Sequence, residues 1–109
     1  MERDFYCDEI LTRKVQVKIV HETENILAFY HTKPSFPLHI VIIPKAHTLD
    51  LTTCIEDLGD IIPEMMDVLK IVIQKVMNQY GGCRLTTNFG KFQQTRHLHW
   101  HVYINNEMM

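Results

Sequence analysis

A chain of 109 residues builds one domain around one core, and 46% apolar with 22% charged residues is ordinary globular composition. A formal net charge of −2 argues against a broad basic face for nucleic acid, and no apolar run is long enough to span a bilayer. Met1 to Asp4 has no signal-peptide apolar stretch, and Cys7, Cys54 and Cys83 are widely spaced, so we expect reduced thiols and a cytoplasmic or nuclear protein.

In chain order, apolar Phe5, Tyr6, Ile10 and Leu11 suggest one or two helical turns at the start. Val15 to Val20 is β-branched and partly alternating, which predicts a strand. Thr23-Glu24-Asn25 turns the chain into a second strand from Ile26 to His31, ended by Pro34 to Pro37. Leu38 to Ile43 is nearly continuous apolar sequence of the kind a central strand needs, closed by Pro44. From about Asp60 to Tyr80, Ile61, Met65, Leu69, Val72, Val76 and Tyr80 recur at three- and four-residue steps and predict one long amphipathic helix. Asp60 is its expected N-cap, Pro63 suits its first turn and Gly81-Gly82 ends it. A strand over about Cys83 to Asn88, a loop through Gly90 and a last strand from about Arg96 to Ile104 complete the chain. The expected fold is α+β: a single domain over 1–109, with an antiparallel sheet of about five strands and the long helix packed on one face.

That last segment carries His97-Leu98-His99-Trp100-His101, three histidines at two-residue spacing. With seven histidines in the chain, a shuffled sequence holds such a triplet with a chance of roughly 0.03. In a strand, the imidazoles share one face and Leu98, Trp100 and Val102 the other. As solvated polar residues they would add no packing and would compete to stay neutral. As a metal site, two of them would bind zinc with a donor from elsewhere, such as His47, His39, Cys7 or Asp4, leaving a position to activate water. As a nucleophile site, one imidazole nitrogen would attack phosphorus, with Asn88, Gln93, Gln94 and Thr95 available as neutral donors to the phosphate. Spacing alone leaves the metal and nucleophile readings open.

The run His97 to Tyr103 resembles the pattern that names the histidine-triad family: His-apolar-His-apolar-His-apolar-apolar. Pro37 to His47 is similar to that family's central strand with its Pro-Lys-x-His step, Ile26 to Phe29 to the preceding strand, and Gln93 and Asn88 to its loop Gln and strand-end Asn. The likeness runs from about Tyr6 to Tyr103 and is greatest with the small nucleotide-binding phosphoramidases. It implies a homodimer acting at the α-phosphate of purine nucleotides through a covalent nucleotidyl-histidine. A dinucleoside polyphosphate hydrolase, or a nucleotide-binding regulatory module with little turnover, are the alternatives.

The resemblance makes His99 the nucleophile, His101 its phosphate-binding neighbour, His97 an orienting partner, and His47 the residue completing the cluster beside the nucleophile. It assigns phosphate contacts to Asn88, Gln93, Gln94 and Thr95, and the nucleoside pocket to Tyr6, Ile10, Phe29, Tyr30 and His31. His31 stands where the family commonly has a ribose-binding carboxylate, Gln94 precedes Thr95 where Ser or Thr is usual, and the sequence ends soon after the triad. No cofactor is required by that chemistry, and neither nucleic acid nor membrane is an expected partner. Some members bind a structural zinc through Cys-x-x-Cys and histidines. Here Asp4-x-x-Cys7 offers one thiol, so that zinc site is expected only in degraded form.

Overall fold

The computed structural model describes residues 4–108. A single helical turn, Tyr6–Ile10, leads into strands β1 (Ile19–Glu22), β2 (Ile26–Tyr30) and β3 (Leu38–Pro44). Helices α1 (Leu51–Asp57) and α2 (Ile62–Tyr80) follow, then β4 (Arg84–Thr87) and β5 (Trp100–Ile104). The strands form one antiparallel sheet in the order β1-β2-β3-β5-β4, with the expected long helix against it. None of the described helices is long and apolar enough to cross a membrane.

Strand alternation divides the sheet into two faces. Ile26 and Ala28 of β2, Ile40 and Ile42 of β3, and Trp100, Val102 and Ile104 of β5 meet Met65, Val68, Leu69, Val72 and Val76 of α2 in the main core. On the opposite face Leu27, Phe29, Val41 and Ile43 are covered by Tyr6 and Ile10 from the N-terminal turn. β2 and β3 therefore read as nearly unbroken apolar runs because both their faces are buried. The N-terminal turn covers only part of that second face, and the histidines occupy the rest.

Several boundaries differ from the sequence reading. β1 begins at Ile19 because Val15 and Val17 pack onto the Tyr6 cluster instead of joining the sheet. α2 starts at Ile62 without a side-chain cap, and Asp60 lies in a short turn, Gly59–Ile61, ahead of it. Tyr80, expected on its buried face, is exposed, whereas Val68 is buried. Gly81 ends the helix as expected, at φ 87°, with its N–H on the Met77 carbonyl at 2.8 Å. α1 was not foreseen. Asp50 caps it, its side chain accepting the Thr53 N–H at 2.9 Å.

The last strand begins at Trp100 rather than Arg96. Before it, the Leu98 N–H bonds the Thr48 carbonyl at 2.7 Å and the Thr87 hydroxyl bonds the His99 carbonyl at 2.8 Å, in place of a regular ladder. The two-residue alternation persists, since Leu98 enters the α2-side core.

Met65 joins helix and sheet: it is fully buried, and its sulfur accepts the Trp100 indole N–H at 3.4 Å. Met65→Ala leaves a cavity there and an indole donor unpaired, and should lower unfolding free energy by about 2–5 kcal/mol. Chemical denaturation of the variant checks this.

Candidate functional site

Antiparallel pairing of β3 with β5 sets Val41 opposite His101 and His39 opposite Tyr103. His39 and His101 thus share the face turned away from α2, and their rings touch, with the tilted centroids 4.9 Å apart. His99 stands edge-on to His101 at 4.8 Å and lies against Tyr6 at 5.1 Å. The Nδ1–H of His99 donates to the His97 carbonyl at 2.7 Å. Nε2 is then the ring's unprotonated nitrogen, as nucleophilic attack requires.

The partners also assign tautomers to the neighbouring rings. The Ser35 N–H points at His39 Nδ1 across 3.3 Å, which puts the His39 proton on Nε2. That proton is donated to His101 Nδ1 at 2.7 Å, so His101 keeps its own proton on Nε2. Burial, reinforced by His99, His39 and His31, drives His101 down to about 3. Burial, with His31 and His99, holds His39 at about 4, and burial also lowers His99. At neutral pH all three are uncharged.

Two cavities of about 210 Å³ each border this row. Tyr6, Phe29, His31, Gln94 and Thr95 line the first. Asn88, Gln94, His39 and His101 line the second, together with Phe36, Phe92 and Tyr103. Gln94 borders both. His31 stacks on His39 at 4.4 Å, and its Nδ1 accepts the Lys33 N–H at 2.9 Å, which leaves it one Nε2–H donor.

Four of the expected site residues lie elsewhere. Ile10 is fully buried in the core on Leu27 and Phe29. Tyr30, one residue along the strand from Phe29, packs toward α2, with the Lys18 ammonium 5.5 Å from its ring centre. Gln93 turns inward to donate to the Leu49 carbonyl at 2.7 Å and ties the loop to the start of α1. His47, expected beside the nucleophile, meets Asp4 and His97 instead, and His39 holds the place next to His101.

The HIT domain profile matches residues 12–108. A 14 kDa zinc-binding protein of Zea mays is 31% identical over 106 residues, covering 93% of this chain and 81% of that one. Among solved structures, a HIT family hydrolase from Legionella pneumophila superposes with a TM-score of 0.80 at 27% identity, covering 98% of this chain and 96% of that one. A hypothetical histidine triad nucleotide-binding protein from Sulfolobus tokodaii gives 0.80 at 29% identity, over 92% of this chain and 67% of that one.

The chain belongs to the HIT domain family. In this HIT domain the far end of the histidine row carries a second constellation. Donor atoms of Asp4, Cys7, His47 and His97 all lie within 4.8 Å of one another. The Nε2–H of buried His97 donates to the Pro44 carbonyl at 2.8 Å, so its Nδ1 lone pair faces the Asp4 carboxylate at 2.7 Å. His47 Nδ1 converges on the same oxygen. Lone pair against carboxylate is repulsive unless positive charge lies between them. Burial opposes ionisation of Asp4, but the contacts around it, the bond from the Cys7 N–H foremost, outweigh it and hold the carboxyl at about 2. Burial, then the Asp4 charge, pushes the Cys7 thiol up to about 12, an arrangement a bound cation would reverse. One sulfur, one carboxylate and two imidazoles fit zinc, and four protein donors make a closed, structural site rather than one with an open catalytic position.

Sequence reasoning missed His39 as a member of the histidine row, and Phe36 and Tyr103 beside it. The only sequence signal was the spacing of His39, Val41 and Ile43 on one strand face, and the register against β5 is a tertiary fact.

The lowered values fix a pH dependence. His39 and His101 bind protons less readily folded than unfolded, so the unfolded state takes up more protons between pH 6.5 and about 4 to 3. Stability is full above pH 6.5 and declines as pH falls through that window. Urea midpoints measured from pH 7.5 to 4.5 should decrease, and His39→Asn should make the decline shallower.

Proposed function

We propose that this HIT domain hydrolyses phosphoramidate or related bonds at the α-phosphate of a purine nucleotide, through a covalent nucleotidyl intermediate on His99. The observation that carries the reading is the bond from His99 Nδ1–H to the His97 carbonyl, which leaves Nε2 unprotonated, as a nucleophile there requires. The nucleoside is assigned to the first cavity, between Tyr6 and Phe29, with His31 and Thr95 toward the sugar. Asn88, Gln94 and His101 would surround the phosphate.

In the first half-reaction the His99 Nε2 lone pair forms the N–P bond and the bond to the leaving nitrogen breaks. The electron pair stays on that nitrogen, which takes a proton from His101 Nε2. His101 can supply it because the anionic phosphate opposes the burial that keeps the empty site neutral. Before that transfer His101 takes up a second proton from solvent at Nδ1, the His39 proton moves from Nε2 to its own Nδ1 so that Nε2 accepts from His101, and the 3.3 Å contact from Ser35 is the weak bond given up. In the second half a water gives its proton to His101 Nε2, its oxygen bonds phosphorus, and the N–P bond breaks to return the lone pair to His99; His101 returns the extra proton to solvent as the product leaves. The exposed Met66 and Met77 lie on one side of α2 and support the expected homodimer.

Rapid quench with an adenylyl donor, followed by peptide mass spectrometry, should find the nucleotidyl label on His99. His99→Asn should lower kcat by at least ~10³-fold while AMP still binds. Wild-type protein that binds AMP but turns over no phosphoramidate or dinucleotide would rule out the enzyme reading.

Asp4, Cys7, His47 and His97 are assigned to a structural zinc, supported by the zinc-binding relative and by the lone-pair conflict at His97. When bound, the metal supplies the positive charge that joins the N-terminal turn to the triad. Metal-free protein should take up one equivalent of zinc with a rise in Tm, a rise that Cys7→Ser with His47→Ala removes. An unchanged Tm on zinc addition would refute the assignment.

A further inference from the structure

Residues 4–7 serve two sites at once. Asp4 and Cys7 supply two of the four donors of the metal-type cluster, while Phe5 and Tyr6 between them line the first cavity. The Tyr6 ring meets Phe29 at 6.1 Å, His97 at 5.6 Å and His99 at 5.1 Å, so it stands between the cavity, the cluster and the candidate nucleophile. Phe5 packs edge-on against it at 5.9 Å. The far end of the N-terminal turn is fixed by fully buried Ile10 and by the Val15 N–H on the Glu9 carbonyl at 3.0 Å. Its start is held differently. Among the described residues, the Cys7 and Asp8 N–H groups bond Asp4 and the Leu11 N–H bonds the Tyr6 carbonyl, all within the turn and its cap. The polar contacts that carry residues 4–7 to the body of the domain end on His47 and His97. That tether sets the His97 lone pair against the Asp4 carboxylate unless a cation lies between them.

We propose that Asp4 and Cys7 are positioning residues for nucleotide binding: drawn onto zinc with His47 and His97, they hold Phe5 and Tyr6 in place as a wall of the first cavity, so that zinc and nucleotide each tighten the binding of the other. This coupling rests on the zinc and nucleotide assignments above, and neither of them requires it. Two donors from the turn and two from the body bridge the joint, and only Phe5 and Tyr6 lie between Asp4 and Cys7. A segment so short cannot leave the cavity while both its flanks are ligated. The nucleotide then meets a wall already formed, and its binding is spared the ordering of two aromatic side chains. Linkage makes the effect reciprocal and equal in size in both directions.

The test titrates AMP into metal-free and zinc-loaded wild type by NMR, and zinc against a competing chelator with and without AMP. Zinc should lower the AMP Kd by roughly tenfold, within the usual range of coupling between two sites, and saturating AMP should lower the zinc Kd by the same factor. Asp4→Asn with Cys7→Ser should bind AMP as metal-free wild type does, whether or not zinc is added. Tyr6→Leu should keep one equivalent of zinc and lose the coupling, whereas Tyr6→Phe, which retains the ring, should keep it. Where Tyr6→Leu fails to fold or to bind AMP, Phe5→Leu takes its place at the same wall and should reduce the coupling. Equal AMP affinity with and without zinc overturns the proposal and leaves both assignments standing. Protein that takes up no zinc, or binds no AMP, overturns it together with the assignment that failed. A zinc effect undiminished in the wall variants is the ion's charge acting on the phosphate, which overturns it too.

Discussion

A fully buried imidazole needs a partner at each ring nitrogen, and the groups set against His97 organise the whole site. Its Nε2–H goes to the Pro44 carbonyl at the end of β3, its Nδ1 faces Asp4 of the N-terminal segment, and its carbonyl receives the His99 proton. One residue thus joins the central strand, the chain start and the candidate nucleophile. Moving it by an ångström would disturb the metal-type cluster on one side and the His99 tautomer on the other. The two constellations are distinct in chemistry but not independent in geometry.

Sheet coverage explains why reactive groups sit here at all. α2 covers one face of β2, β3 and β5 completely, whereas Tyr6 and Ile10 cover only part of the other. Where that second cover ends, β3 and β5 still alternate, and the positions that would be core under a larger lid become His39, His101 and Tyr103. The site is therefore anchored on two central strands through His39, His101 and Tyr103, with Asn88, Phe92, Gln94, Thr95 and His99 from the segment between β4 and β5 and His31 and Phe36 from the segment between β2 and β3. Tyr6 belongs to both roles, packing on Phe29 in the core and on His99 at the site.

Much of this was legible in the sequence because local periodicity encoded it. The histidine row, the β2 and β3 runs and the α2 stripe follow from alternation and helical spacing, and Gly81 marked the helix end. Other features turn on tertiary choices. β-branched Val15 and Val17 satisfy strand propensity, yet the Tyr6 cluster claimed them. α1 carried a readable signal in Asp50-x-x-Thr53, but its apolar content is sparse over only seven residues. His39 and His47 are equally plausible partners in sequence. They are eight residues apart, and only β3–β5 register sends His39 to His101, while the bend after Pro44 sends His47 to Asp4. Tyr30 beside Phe29 shows the limit of naming pocket residues by neighbourhood, since adjacent strand residues face opposite ways.

The electrostatics of the empty site point the same way as its shape. Of the grouped imidazoles, His39, His99 and His101 are driven toward the neutral form by burial, and the described contacts give them no carboxylate partner. Among the described residues the nearby carboxylate, Asp4, is drawn off to Cys7, His47 and His97. A set of protonatable rings without a resident anion is poised for a ligand that brings its own negative charge. Such a ligand restores basicity to His101 at the moment a proton is needed, whereas a fixed carboxylate would have charged the ring permanently and competed with the phosphate. Neutrality at rest and a charge-bearing substrate are thus two halves of one arrangement. Placing the acid cluster behind His97 rather than beside His101 keeps the two apart.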